Sequence, residues 1–267
     1  MSLYGKDLRY IWGVIRNAQL VPVYMPDWTL RVYVAADPAP SELAVAPRIL
    51  NKLRLLGAET AKVSTRYNMA PRNWRLLVAN DQHIDYFLVR DADTRLTERE
   101  AAAVKDWLTI AESSGSQSAV IHCIRDHPKH ANQAIVDGLW GGRSRSLRQL
   151  LKQDITDMMN NNSDTRTSVS QLLWPKVSNF SYCHDSVSTD DQWTPRTSRR
   201  PFPLSRQGRE YVGQKFDAHQ QLLSKDGDQL EADIEGQAGI LHETITLSHD
   251  KFIRPPSYFH WPEQADR

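Results

Sequence analysis

The chain has 267 residues, and its 33 basic and 32 acidic side chains give a formal net charge of +1. That balance argues against a polybasic protein that binds nucleic acid by neutralising many phosphates. With 40% hydrophobic residues, 2 cysteines and no apolar run of the ~18 residues that span a bilayer, the sequence predicts a soluble, cytoplasmic protein without a disulfide scaffold or a transmembrane segment.

The first part of the chain alternates between strand and helix patterns. Helices are indicated by apolar residues spaced three and four apart, and strands by short β-branched runs. The predicted elements are a strand end at 1–4, a helix at 10–21 closed by Pro22, a strand at 29–34, a helix from Pro47 to Leu56 and a strand at 58–63. This order favours a mostly parallel sheet with helices on its faces.

The later elements are more widely spaced, and the pattern weakens towards the end of the chain. They are a short helix at 72–79, a strand at 86–89, a helix after a capping box at 97–100, a strand at 119–124, a tight turn at 138–142 and a helix over 147–159. We expect one α/β domain over residues 1–217, followed by an irregular, polar C-terminal extension at 218–267 that packs on the same domain.

Two carboxylates directly follow the apolar strand at 86–89. Asp91 and Asp93 occupy positions i and i+2, whose side chains point the same way in an extended chain. Mg²⁺ and Mn²⁺ prefer such oxygen ligands, and open α/β sheets bind ligands beyond the carboxyl ends of their strands. The pair is a candidate site for a metal that holds a diphosphate. The alternative is that acidic residues stand here because the dipole of the following helix favours them.

Polar residues also follow the strand at 119–124. Asp126 is a candidate general base or acceptor for a sugar hydroxyl, with a plain turn residue as the alternative, and His127 stands beside it. Three arginines flank the two strand ends and are candidate contacts for phosphate or sugar, or else ion-pair partners of nearby acids: Arg90, Arg95 and Arg125.

Two further residues are candidates for the site. Trp140 follows Gly138 closely and precedes Gly141, and glycines let a sugar ring approach a tryptophan face. His184 is a candidate third metal ligand, with an ordinary structural histidine as the alternative. The sequence has no Walker loop, no Gly-x-Gly-x-x-Gly and no Cys-x-x-Cys, so it does not predict ATP, NAD or zinc sites of those types.

Several segments together, in chain order, resemble a known family. They include Arg90-Asp91-Ala92-Asp93-Thr94-Arg95, Arg125-Asp126-His127-Pro128 and Gly138-Leu139-Trp140-Gly141-Gly142, and further segments at 2–5, 10–18, 28–33, 98–104, 174–175, 184–186, 201–203 and 211–214. The chain resembles glycosyltransferase-like proteins of the GT-A type, which carry an Asp-x-Asp motif. The resemblance extends over roughly the first four-fifths of the chain.

The resemblance implies a nucleotide-diphospho-sugar donor and a Mn²⁺ or Mg²⁺ ion held by Asp91 and Asp93. It implies that the base and ribose lie near Tyr4, and that Asp126 and the loop around Trp140 lie near the transferred sugar. It also implies that His184 resembles a late histidine that such folds use as an extra metal ligand.

One segment departs from the family pattern. An Asp-Gln pair is expected upstream of Trp174, whereas this chain has Asp164 followed by Thr165. Asp164 is the candidate for that acid, so Asp126 and Asp164 are the two candidate catalytic bases.

The sequence thus predicts a metal-dependent glycosyltransferase, of the hexosyl or a related class, with a GT-A-like fold. Its acceptor, whether glycan, lipid-linked or protein, is not predicted. The alternative is a catalytically impaired module of the same fold that binds nucleotide sugars or glycans. The departure at Asp164 favours that alternative, and the intact pair of Asp91 and Asp93 opposes it.

Overall fold

The structure is a computed structural model that describes residues 1–65, 69–113, 119–160, 169–187 and 199–223. Asp164 lies outside the described residues, as does the predicted C-terminal extension beyond residue 223. Described residues at the start of that extension contact the main body of the fold, because the Arg95 guanidinium donates to Gln220 Oε1 at 2.5 Å.

Helices and strands alternate through the first half of the chain, as predicted. The elements are α1 (Leu8–Tyr24), β1 (Arg31–Ala35), α2 (Pro47–Leu55), β2 (Glu59–Val63), a 3₁₀ helix (Pro71–Asn80), β3 (Tyr86–Arg90), α3 (Glu98–Ser113), β4 (Ile121–Arg125), a 3₁₀ turn (Pro128–His130), β5 (Leu139–Arg143), α4 (Ser144–Leu151), α5 (Ile155–Asn160), α6 (Val169–Val177), a 3₁₀ turn (Ser178–Phe180), β6 (Ser181–Asp185) and β7 (Arg199–Arg200).

The strands form a mixed α/β architecture in two sheets. β1 and β2 are parallel, and Ser2 forms a parallel bridge to Tyr33 of β1, so a strand end does lie at the beginning of the chain. The second sheet has the order β3-β5-β4-β6-β7. In it β4, β6 and β7 are parallel to one another, whereas β5 runs antiparallel between β3 and β4.

The tight turn predicted at 138–142 is wrong, because most of this segment is β5, a central strand of the sheet. Its glycines allow this placement. A side chain at Gly141 would overlap the main chain of β3 at Phe87, and one at Gly142 would crowd the Phe87 ring at 3.1 Å. The glycines therefore serve close strand packing rather than a reversal of the chain.

Two predicted helix boundaries also differ from the structure. The first helix continues through Pro22 to Tyr24, and only the hydrogen bond that proline cannot donate is missing. The single helix predicted over 147–159 is two helices, because Lys152 adopts the left-handed conformation, with φ of 56°, and ends α4.

The capping box predicted at 97–100 is half formed. Thr97 Oγ accepts a hydrogen bond from the Glu100 amide at 3.1 Å, which caps α3. The Glu100 carboxylate does not return to the cap but forms a buried ion pair with Arg90. That pair joins the start of α3 to the end of β3, where the predicted metal ligands begin.

Large apolar side chains fill the space between sheet and helices. Trp74, Trp107 and Trp140 are all within 1% of complete burial, and Cys123 and Cys183 are buried on neighbouring strands without a disulfide between them. Among the helices of the described residues, none combines the length and the apolar character needed to cross a bilayer.

Candidate functional site

The loop that carries Asp91 and Asp93 is held in place by α1. Asn17 of α1 is fully buried; its amide donates to the carbonyl of Thr94 at 2.7 Å, and its Oδ1 accepts from the Leu96 amide at 3.1 Å. Gly13, one turn earlier, lies so close to the loop that a side chain there would overlap the carbonyl of Ala92. The backbone positions of the two aspartates are therefore fixed by a helix.

Both aspartates face cationic side chains. Asp91 forms an ion pair with Arg75 of the 3₁₀ helix, and Asp93 forms one with Arg9 of α1. The ammonium of Lys215 lies between them, 3.6 Å from Asp91 Oδ2 and 3.7 Å from Asp93 Oδ2. The two carboxylates thus converge on the ammonium of Lys215 and each also pairs with an arginine, although Ala92 and Asp93 form a turn rather than the extended chain expected from the sequence.

The electrostatics at Asp91 favour its ionised form. Burial opposes ionisation, but Arg75 and Lys215 outweigh it and hold the pKa of Asp91 below its usual value. Asp91 retains 27% of its side-chain exposure, whereas Asp93 retains 2%. Asp91 is therefore a carboxylate that is charged at neutral pH and accessible to an external ligand.

The segment that precedes β5 completes the surroundings of Asp91. A Cβ atom added to Gly138 would lie 2.5 Å from Asp91 Oδ2, so only glycine leaves that carboxylate its position. Asp137, the preceding residue, has an Oδ1 atom without a hydrogen-bond partner among the described residues. Burial raises the pKa of Asp137, and the charge of Asp91 adds to the increase.

The three candidate arginines have structural partners. Arg90 pairs with Glu100 and donates to the carbonyl of Trp140, and Arg125 pairs with Asp185 at 2.7 Å. Arg95 is also buried, and burial lowers its pKa to about 10. These arginines therefore form ion pairs or hydrogen bonds within the fold.

Asp126 is fully buried and accepts hydrogen bonds at both oxygens. Its donors come from three parts of the chain: the guanidinium of Arg99 at 3.0 Å to each oxygen, Arg206 at 2.8 Å, Ser186 Oγ at 2.7 Å and the amide of Val212 at 2.9 Å. Burial opposes ionisation, yet the arginines hold the pKa of Asp126 below its usual value. A carboxylate so engaged is unsuited to act as a general base.

The other candidate substrate contacts fall into two groups. Trp140 is completely buried with its ring edge against Phe87, Gly141 lies within the sheet, and His127 is buried beside Tyr211, so none of these side chains offers a face to a sugar. Tyr4, by contrast, is 37% exposed. Its phenol group lies within the electrostatic reach of Asp91 and Arg75, so Tyr4 belongs to the same neighbourhood.

His184 is not grouped with Asp91 and Asp93. Its Nδ1 lies 2.8 Å from His122 Nε2, and its Nε2 lies 3.3 Å from Asp106 Oδ2. Within the described ranges, no three histidine, cysteine, aspartate or glutamate side chains are grouped as a metal site. His184 is therefore a core histidine on β6, which is the structural alternative to a metal ligand that the sequence left open.

The His122–His184 pair predicts an acid-labile core. Burial lowers the pKa of His184 to about 4, although Asp106 opposes the decrease, and burial and the neighbouring His184 hold the pKa of His122 well below its usual value. Because an unfolded histidine titrates near ~6.5, the unfolded chain binds more protons as the pH falls below this value. From His184 alone we expect the free energy of unfolding to fall by about 3 kcal/mol as the pH drops from 6.5 to 4, with full stability above 6.5, and His122 adds to the fall.

Chemical unfolding across this pH range, measured for the wild type and for His184→Gln, tests this prediction. The variant should lose much of the pH dependence, whereas His83→Gln, at an exposed position, should retain it. Equal pH dependence in the wild type and His184→Gln would contradict the assignment to this pair.

Asp91 and Asp93 are the residues that could hold Mn²⁺ or Mg²⁺, since such ions often use one or two protein carboxylates and take their other ligands from water and phosphate.

The sequence did not indicate several residues around the two aspartates. Most of them are cationic side chains or residues that position the loop: Arg9, Arg75, Lys215, Asn17 and Asp137. A cavity of about 320 Å³ lies at the carboxyl ends of β1 and β2, lined by Ala36, Asp37, Pro38, Ser64 and Thr65.

Compared with known proteins, the chain matches no family model and no curated protein.

Proposed function

We propose that the protein is a metal-dependent glycosyltransferase of the GT-A type that uses a nucleotide-diphospho-sugar donor. The observation that carries the proposal is the convergence of Asp91 Oδ2 and Asp93 Oδ2 on one ammonium group, within 3.7 Å of each. The ammonium stands where a divalent cation would bind, and the hard oxygen ligands suit Mn²⁺ or Mg²⁺.

The residues around the pair suit a diphosphate. Asp91 and Asp93 would hold the ion, which when bound neutralises charge on the diphosphate as the sugar–phosphate bond breaks. Three positive charges lie against these two carboxylates, from Arg9, Arg75 and Lys215. These groups orient an anionic leaving group and stabilise its developing charge.

Two features support a nucleoside site beside the diphosphate. Tyr4 presents a partly exposed ring, held edge-on by Trp74 at a centroid distance of 6.1 Å. The cavity beyond β1 and β2 lies at the carboxyl ends of parallel strands, where open α/β sheets bind nucleotides. We propose that the base and ribose occupy this side of the site.

Among the described carboxyl groups, Asp137 suits the role of base better than Asp126. Its Oδ1 is buried without a hydrogen-bond partner among the described residues, its pKa is raised, and it stands next to Gly138, against which Asp91 packs. A base with a raised pKa binds the acceptor's proton more readily at neutral pH. Asp164, the other candidate from sequence, stays a prediction.

A binding module without transferase activity is the second candidate. The observation that favours it is the complete engagement of Asp126 by arginines and amides. A module that binds nucleotide sugars shares donor binding with the transferase and differs from it in turnover, whereas a module that binds glycans need not bind the donor. Release of nucleoside diphosphate from a donor, with and without added acceptors, separates them.

The proposal predicts that a nucleoside diphosphate stabilises the protein only together with a divalent cation. At 100 times its dissociation constant, a ligand adds about 2.7 kcal/mol to the free energy of unfolding. Thermal unfolding with UDP, GDP, ADP and CDP, each with Mn²⁺, with Mg²⁺ or with a chelator, measures this effect and identifies the base.

Mn²⁺ without nucleotide, and nucleotide with the chelator, are the controls. Equal stabilisation by a nucleoside diphosphate in the chelator would contradict a metal-bridged diphosphate. No stabilisation by any nucleotide or nucleotide sugar would contradict the proposed donor class.

A further inference from the structure

We propose that Lys215 is an internal competitor for the divalent cation, and that its ammonium binds the diphosphate once the cation has displaced it from Asp91 and Asp93. This inference rests on the proposed function. It assigns the resting and the ligand-bound role of a single side chain that lies far from both aspartates in the sequence.

The position of the ammonium is the first argument. It is 3.6 Å from one carboxylate and 3.7 Å from the other, and in both cases the nearest oxygen is Oδ2. The other oxygen of Asp91, Oδ1, accepts from Arg75, and Asp93 Oδ2 also accepts from Arg9. Lys215 therefore lies at the point shared by the two carboxylates, where a cation bound by both would have to be.

The anchoring of Lys215 is the second argument. Its backbone forms an antiparallel bridge with Thr94, and the amide of Phe216 donates to the carbonyl of Asp93 at 3.0 Å. The side chain itself remains 43% exposed. The Cα atom is therefore fixed beside the aspartate loop, while the flexible four-carbon stem leaves the ammonium free to move.

The charge balance is the third argument. An incoming divalent cation places two positive charges where one stood, so the ammonium is repelled from the carboxylates. The nearest anion that then arrives is the diphosphate bound to the same cation. A compact ammonium that carries three donors is a suitable partner for phosphate oxygens.

The inference predicts two changes of opposite sign in Lys215→Met. Without the ammonium, Mn²⁺ alone should bind about 2- to 5-fold more tightly, because it no longer displaces a partly exposed ion pair. The nucleoside diphosphate, with saturating Mn²⁺, should bind about 2- to 5-fold more weakly, because one phosphate contact is lost. Lys215→Arg should resemble the wild type in both measurements.

Isothermal titration of Mn²⁺, followed by titration of UDP or of whichever nucleoside diphosphate stabilises the wild type, measures both affinities. Lys105→Met, on the exposed face of α3, is the matched control and should change neither. Circular dichroism melting shows whether Lys215→Met is folded. Should the methionine variant melt too low to titrate, Lys215→Gln serves in its place, because glutamine keeps a polar side chain at this half-exposed position.

The outcomes separate the two proposals. If Lys215→Met leaves the Mn²⁺ affinity unchanged or lowers it, the competition is wrong, while nucleotide binding by the wild type would still support the proposed function. If Mn²⁺ binds more tightly to the variant but no nucleoside diphosphate binds to either protein, the competition stands and the proposed function is wrong. Opposite changes in both affinities support both.

Discussion

Asp91→Asn is expected to lower the affinity for a nucleoside diphosphate in the presence of Mn²⁺ by at least about 10-fold, because loss of a metal ligand should cost no less than loss of a residue that only orients the ligands. Asparagine keeps the shape of the side chain, and Asp91 is 27% exposed. The cost to folding should therefore be only about 1 kcal/mol, from weaker pairing with Arg75.

Calorimetric titration and guanidinium unfolding on the same preparation measure the two effects. Asp27→Asn, at an exposed position, is the matched control and should change neither. An unchanged affinity for the Mn²⁺–nucleotide complex would mean that Asp91 serves only as the partner of Arg75. Asp93 is a poorer choice for this test, since its burial and its pair with Arg9 tie ligand binding to folding.

Asp126→Ala is expected to have the largest effect on folding, a loss of about 3–5 kcal/mol in the free energy of unfolding. The substitution leaves the guanidinium groups of Arg99 and Arg206 without their shared carboxylate, and removes the acceptor for the Val212 amide. It therefore removes hydrogen bonds that join the end of β4 to α3 and to the segment at 199–223.

Urea unfolding at low temperature measures this loss, and Asp126→Asn, which keeps two acceptor lone pairs, should lose less. Asp27→Ala is the control for removal of an exposed carboxylate. A loss below about 1 kcal/mol, combined with the loss of glycosyl transfer, would contradict the structural role and restore Asp126 as a catalytic group.

The sequence predicted the elements that local patterns determine. The strand that ends at Arg90 and the cap at Thr97 depend on neighbouring residues. They could therefore be inferred from period and spacing. The turn predicted around Trp140 was wrong, because glycines around a tryptophan are typical both of a turn and of a closely packed strand.

The partners of the site could not be predicted, because tertiary contacts bring them from distant segments. Nothing in the local sequence of Lys215 indicates that its ammonium lies between two aspartates. Likewise, the contact of His184 with His122 depends on the pairing of β4 with β6. The sequence indicated that charged residues gather near the strand ends. Which acidic side chain pairs with which basic one depends on the whole fold.

The contacts of Asn17 and Gly13 with the aspartate loop have a thermodynamic consequence. Because α1 already orders residues 91–96 through their main chain, ligand binding does not carry the entropic cost of ordering that loop. The loop is thus preorganised independently of its carboxylates. Variants of Asp91 should accordingly report the loss of a ligand contact, with little contribution from loop rearrangement.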